Sequence, residues 1–111
     1  SSADVARQIR LSGFDPNGRP VNVDVPDSEL LHTRGMVIGR SGEFADIALN
    51  YPKVSRAHVL VGVIDGVIHV QDMNSSNGTY VNEQRLKPFE KITLRRGDKI
   101  RIAGISLAAS R

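Results

Sequence analysis

Short runs of alternating apolar and polar residues, each ended by a turn signal, constrain this chain more than any other feature. In Val21-Asn22-Val23-Asp24-Val25 the valines fall on one face and the polar residues on the other, the period-two pattern of a half-buried strand. Ile9 and Leu11 alternate in the same way with Gln8, Arg10 and Ser12, until Asp15-Pro16-Asn17-Gly18 breaks the run. Ile92 and Leu94 alternate with Lys91, Thr93 and Arg95. Beyond Arg96-Gly97-Asp98, Ile100 and Ile102 alternate with Lys99 and Arg101. This last pair of runs reads as a hairpin with one face in the core and a basic face in water. Val59 to Ile64 and Val67 to Val70 are apolar on both faces and flank Asp65-Gly66, a two-residue hairpin signal. They are expected to form central strands covered on both sides. Pro88 lacks a backbone donor and is expected outside any central ladder. Helical periodicity is poor; only Asp27-Ser28-Glu29-Leu30-Leu31 reads as a helical turn, placed in a connection.

These runs predict one all-β domain spanning residues 1–111, a sandwich or barrel, with no internal repeat or linker. Aromatic residues make up 5% of the chain and Trp is absent, so Val, Ile and Leu must build the core, and β-branched side chains suit a pleated surface. The absence of cysteine excludes disulfides, thiolate zinc sites and thiol catalysis. The longest apolar stretch, Val59 to Ile64, is far too short to span a bilayer as a helix. No secretion signal is visible at the amino terminus, so the expected compartment is the cytoplasm, or the nucleus in a eukaryote. A net charge of +3 is too small to argue for nucleic acid. Concentrated at one place, it favours an anionic ligand.

Three polar clusters interrupt the strand pattern: Gly39-Arg40-Ser41-Gly42 after Met36-Val37-Ile38, Lys53-Val54-Ser55-Arg56-Ala57-His58 before the run at Val59, and Asp72-Met73-Asn74-Ser75-Ser76-Asn77-Gly78-Thr79 after the run from Val67. All lie at predicted strand ends, and loops at one end of a sandwich converge. If these converge, Arg40, Lys53, Ser55, Arg56, Ser76 and Asn77 form a donor-rich pocket. That inventory suits a dianion: an arginine fork meets two phosphate oxygens, while hydroxyls and turn amides supply single donors. No matching carboxylate set is present to hold a metal, and no metal or cofactor is expected.

In order and rough spacing, Gly39-Arg40, Ser55-Arg56-Ala57-His58 and Ser76-Asn77-Gly78-Thr79 resemble the signature of forkhead-associated (FHA) domains, with Gly97-Asp98 matching a further turn. The resemblance covers about residues 36–102. It implies a two-sheet antiparallel β-sandwich of about eleven strands, with phosphothreonine peptides bound through loops at one end. It also implies that Arg40 and Ser55 bind the phosphate, with Arg56 and Lys53 adding contacts from the same loop. Ser76 would contact the phosphate or the threonine side chain, and Asn77 the peptide backbone. Gly39 and His58 would be architectural, with His58 bracing the loops, and Gly78 and Thr79 would shape the turn into the next strand. The implied partner is a phosphothreonine-containing protein, a Ser/Thr kinase or its substrate. Preference for threonine over serine is inherited from the resemblance. One departure stands out: the family often has Asn-Gly where this chain has Asn82-Glu83, and glutamate disfavours positive φ.

Other functions fit parts of the same residue set. Ser55, His58 and Asp72 supply the residue types of a hydrolytic triad, but there is no Gly-x-Ser-x-Gly elbow; the expectation is that the chain is not an enzyme. A phosphate-independent interaction or scaffold domain could use the same fold. Lys91, Arg95, Lys99 and Arg101 read as a solvated strand face. A nucleic-acid surface would need stacking aromatics that the chain largely lacks. His32 and His69 are assigned no role.

Overall fold

A computed structural model of the protein describes residues 8–26, 35–64 and 67–110. It contains eleven strands: β1 (Gln8–Phe14), β2 (Pro20–Pro26), β3 (Met36–Gly39), β4 (Ile47–Ala48), β5 (Val59–Ile64), β6 (Val67–Asp72), β7 (Thr79–Val81), β8 (Gln84–Arg85), β9 (Lys91–Thr93), β10 (Lys99–Ile102) and β11 (Ile105–Ser110). They form a six-stranded sheet in the order β2-β1-β11-β10-β7-β8 and a five-stranded sheet in the order β4-β3-β5-β6-β9. All ladders are antiparallel except that between β3 and β4, where Ile38 and Ile47 pair in parallel. The predicted helical turn at Asp27-Ser28-Glu29-Leu30-Leu31 and the Asp65-Gly66 turn lie outside the described residues.

The alternating runs face one another across a common core. Ile9, Leu11, Val23, Val25, Ile100, Ile102, Ile105 and Leu107 from the larger sheet are buried against Ile38, Val59, Val61, Ile68 and Val70 from the smaller one. Each such aliphatic side chain contributes about 1.5–3 kcal/mol relative to exposure. Leu49, Val54, Leu86 and Leu94 close the core from the connections. Pro88 sits in the turn between β8 and β9, as its missing donor requires.

Two sequence expectations are corrected. The runs Val59 to Ile64 and Val67 to Val70 are not covered on both sides. Val59, Val61, Ile68 and Val70 are buried, but Leu60, Gly62 and His69 are only half-buried and Val67 is exposed. A two-layer sandwich has one inner face per sheet, and here the outer face carries apolar residues into partial contact with solvent. Likewise, the runs around Ile92 and Ile100 do not form a hairpin. β9 pairs with β6 in the five-stranded sheet, whereas β10 pairs with β7 and β11 in the six-stranded one. Arg96-Gly97-Asp98 therefore carries the chain from one sheet to the other. The Asp98 carboxylate accepts from the Arg95 amide at 2.8 Å, and Gly97 adopts φ 86°. Lys91 thus faces away on a different sheet from Lys99 and Arg101, so the four basic residues do not form one stripe.

The Asn82-Glu83 departure also has a structural answer. Val81 pairs with Gln84, leaving a two-residue turn with φ 49° at Asn82 and 67° at Glu83, the type I′ geometry that matches strand twist. Asn82 fits it: its side chain accepts from the Lys99 amide at 2.9 Å and donates to Asp98 at 3.1 Å. Glu83 carries a left-handed penalty of about 1 kcal/mol. Its exposed ion pair with Arg101, 3.2 Å, offsets little of that. Glu83→Gly is expected to stabilise the protein by about 0.5–1 kcal/mol net, seen as a melting temperature higher by a few degrees. A variant that melts at or below the parent temperature contradicts this account.

Candidate functional site

The strand registers bring the three polar clusters to one end of the sandwich. Ile38 pairs with Val59 and Val59 with Asp72, and the Thr79 hydroxyl at the start of β7 donates to Asp72 at 2.7 Å, so residues after β3, before β5, after β6 and before β7 share a rim. Backbone bonds stitch the loops together: Arg40 N–H to Ser55 O at 3.0 Å, Leu49 N–H to Gly39 O at 2.7 Å and Met73 N–H to His58 O at 2.9 Å. Gly39 is where two of the segments touch. A Cβ there would overlap the Arg56 carbonyl oxygen, lie 2.8 Å from its carbon and 3.1 Å from the Ala45 Cβ. Only glycine permits that approach.

His58 ties the same loops from beneath. It is fully buried; its Nδ1 accepts from the Ser55 amide at 3.0 Å, which leaves Nε2 as the protonated nitrogen, donating to the Gly78 carbonyl at 2.9 Å. Both ring nitrogens are thus committed to backbone groups, and neither serves the Ser55 hydroxyl. Asp72 is equally occupied, accepting from the Ser75 hydroxyl at 2.6 Å, the Ser75 amide at 3.1 Å and the buried Thr79 hydroxyl at 2.7 Å. The residue types of a hydrolytic relay are present here, but their hydrogen bonds shape a turn instead.

Above this base lies a concavity of about 390 Å³, lined by Arg40, Pro52, Lys53, Ser55, Arg56, Ser76 and Asn77, together with Val54, Ala57 and Asn74. All six residues expected to meet ligand therefore share one wall-to-wall site. Ser55 Oγ accepts the Ser76 amide at 3.0 Å and keeps its own proton free to donate. Asn77 Nδ2 donates to the Lys53 carbonyl at 2.7 Å, so Asn77 also clamps two loops. Arg40 Nη1 reaches the Pro52 carbonyl only at 3.4 Å, and the Arg56 guanidinium rests 5.3 Å from the ring centre of Phe44. Among the described residues no acidic one lines the concavity. Among the described residues no carboxylate comes within ion-pair distance of Arg40, Lys53 or Arg56, and no group of three His, Asp or Glu is placed to hold a metal. Cationic and neutral donors with no carboxylate partner among the described residues are a set whose chemistry suits an external anion.

Several contributors escape sequence reasoning. Pro52 supplies the carbonyl beside Arg40, and Phe44, in the Ser41 to Phe44 loop that the sequence offers for reading the residues around a phosphothreonine, lies against Arg56, a contact no local pattern announces. Tyr51, next to Pro52, donates to Asp15 at 3.1 Å. That carboxylate also accepts the Arg19 and Asn17 amides, both at 2.9 Å. Nothing in the sequence links positions 15 and 51.

The site has a pH signature. Burial, opposed by the Gly78 carbonyl and the Asp72 charge, lowers the His58 pKa from 6.5. A lowered folded-state pKa means that the unfolded chain takes up the proton more readily. The contribution of neutral His58 is therefore complete above about pH 6.5 and is lost as pH falls from there through the lowered value. Asp15 is held below 3.8, chiefly by the Arg19 amide, so its contribution is present above about pH 3.8 and is lost at still lower pH. Denaturant midpoints measured from about pH 7 down to about pH 5 should fall for the parent and fall less for His58→Gln, which carries no titrating proton there. Equal slopes would remove His58 from the explanation.

Comparison with known proteins bears on the family and the fold. The FHA-domain family model matches residues 36–103. The FHA domain-containing protein PS1 of Arabidopsis thaliana is 33% identical over 96 residues, which is 85% of this chain and 6% of that protein. The chain spans between 6% and 20% of the length of the curated relatives it matches. Among solved structures, an FHA domain studied for phosphothreonine-dependent interactions superposes with a TM-score of 0.68 at 26% identity, covering 95% of this chain and 97% of that one. Mycobacterium tuberculosis EmbR, solved with a low-affinity phosphopeptide, gives 0.68 at 27% identity over 93% of this chain and 24% of that one. Among the described residues no helix is long and apolar enough to cross a membrane. On the match across residues 36–103, and on the gathering of its signature residues at one rim, the chain belongs to the FHA-domain family.

Proposed function

We propose that residues 1–111 act as one phosphothreonine-dependent recognition module that binds a partner protein through this rim, in the cytoplasm or nucleus, and that they catalyse no reaction. The observation that carries the reading is the concavity in which donors from three separate loops converge, with no acidic residue among its described lining. In this reading Arg40 and Ser55 hold the phosphate, Arg56 and Lys53 add charge, Ser76 meets the phosphate or the threonine side chain, and Asn77 bonds the peptide backbone. Gly39, His58, Gly78 and Thr79 support the loops. The partner is a protein phosphorylated by a Ser/Thr kinase, or the kinase itself. No metal or cofactor takes part. Related structures support this: one was studied for phosphothreonine-dependent interactions and another was solved with a phosphopeptide.

Magnitudes fit. Hydrogen bonds to a charged group contribute roughly 1.5–3 kcal/mol each. Three or four of them, less the cost of ordering a peptide, give a dissociation constant on the order of micromolar. The test is a phosphothreonine peptide library probed beside its unphosphorylated copy. Selective capture of the phosphorylated members supports the reading. Equal capture of both overturns it in favour of a phosphate-independent interaction domain.

A further inference from the structure

Beside the phosphate concavity, on the Asn77 flank, stands a cation that neither the signature nor the pocket includes. Tyr80 in β7 lies opposite Arg101 of β10 on one side and Arg85 of β8 on the other. Both guanidinium groups approach its ring, with centroid distances of 4.0 Å for Arg101 and 6.0 Å for Arg85. Their charges are not equivalent. Arg101 is paired with Glu83, whereas Arg85 is exposed and has no carboxylate partner among the described residues.

The position of Arg85 depends on Gly78. At φ 83°, and without a side chain, Gly78 lets the Arg85 guanidinium lie against the turn: a Cβ there would be 2.9 Å from Nε and 3.0 Å from Cζ. Gly78 directly follows Ser76 and Asn77, which line the phosphate concavity. Arg85 also lines a second concavity of about 450 Å³, whose lining includes Arg95 and the carboxylates of Glu90 and Asp98, neither of them within ion-pair distance of Arg85. An arginine without an ion-pair partner among the described residues therefore stands between the turn after Asn77 and the second hollow.

We propose that Arg85 is a second anion contact for the bound peptide, reading a negatively charged side chain on the Asn77 flank of the phosphothreonine; this rests on the phosphothreonine reading above. Arg85 lies at the outer limit of a cation–π contact with Tyr80, 6.0 Å from the ring centre, and the N–H groups of its fork have no carboxylate partner among the described residues. A carboxylate or a second phosphate meets that fork with the same chemistry. A peptide that seats its phosphothreonine among Arg40, Ser55 and Ser76 and leaves past Asn77 would run toward Gly78 and the Arg85 guanidinium beside it.

The reference probe is a phosphothreonine peptide with alanine at every flanking position. Aspartate, and in a separate series phosphoserine, is placed at each flanking position in turn. Binding is measured for the parent, Arg85→Ala and Arg85→Glu. The parent is expected to bind the peptide with the anion at one particular position about threefold to tenfold more tightly than the reference. Arg85→Ala should lose that gain and keep the reference affinity, and Arg85→Glu should turn the gain into a loss. Gain in both series identifies an acidic flank, and gain with phosphoserine alone identifies a doubly phosphorylated partner. A parent that binds the reference without any positional gain, or a gain that survives Arg85→Ala, overturns the role of Arg85 alone. A parent that binds no phosphothreonine peptide overturns the underlying reading, and this proposal with it.

Discussion

Arg40→Ala is expected to weaken binding of a phosphothreonine peptide by about a hundredfold or more while leaving the melting temperature close to that of the parent. The binding effect follows from the fork. Two charge-assisted bonds to one phosphate, at roughly 1.5–3 kcal/mol each, amount to about 3 kcal/mol or more, and every 1.4 kcal/mol is tenfold. The small effect on folding follows from what the side chain does without ligand. Its hydrogen bond to the Pro52 carbonyl is long, 3.4 Å, and it forms no ion pair among the described residues. Its removal therefore breaks little, within about 0.5 kcal/mol. Arg40→Lys should fall between, because an ammonium restores the charge without the planar fork. Fluorescence anisotropy beside thermal melts separates the two quantities. Parent-like affinity in Arg40→Ala would remove the phosphate from the centre of this site.

Gly39→Ala should have the opposite profile, damaging fold and binding together. The added methyl group has no free volume: it overlaps the Arg56 carbonyl oxygen and crowds Ala45. Those are backbone and short side-chain atoms, which cannot swing away. Relief requires β3 and the loop before β5 to separate, breaking the bonds from Arg40 N–H to Ser55 O and from His58 N–H to Ile38 O. Overpacking of this kind costs about 1–3 kcal/mol, occasionally more. In a domain of this size each kcal/mol lowers the melting temperature by about 4–8 °C. Binding should fall as well, because Arg40 and Ser55 are on the two segments being forced apart. An alanine variant with parent-like melting and affinity would show that the close approach at Gly39 is dispensable.

Arg40 and Gly39 show why much of the candidate site stands out in the sequence. Polar residues at the ends of apolar runs have no strand face to occupy, so Gly39-Arg40, Ser55-Arg56 and Ser76-Asn77 stand out against the alternation around them. Their order and spacing did the rest through the resemblance to a known family. What stayed hidden was whatever depends on neighbours distant in the chain. Phe44 beneath Arg56, the Pro52 carbonyl beside Arg40 and the bond from Tyr51 to Asp15 carry no local pattern. Nor does Arg85 in sequence differ from the basic residues at 95, 99 and 101, which invited a single solvated face. Its proximity to Gly78 exists only because β8 pairs back onto β7.

From its residues alone, this chain was committed to an all-β fold with an aliphatic core, because side-chain period and turn chemistry are local properties that each segment expresses by itself. Ile92 and Ile100 were rightly placed on core-facing strands for that reason. Which strand each pairs with was decided only by the folded sandwich. Alternation tells a strand which face to bury, but the core between two sheets can be reached from either layer, and β9 and β10 approach it from opposite sides. The same holds for the candidate site: donors could be named one by one, while their meeting on a single rim depends on ladders joining residues far apart in sequence.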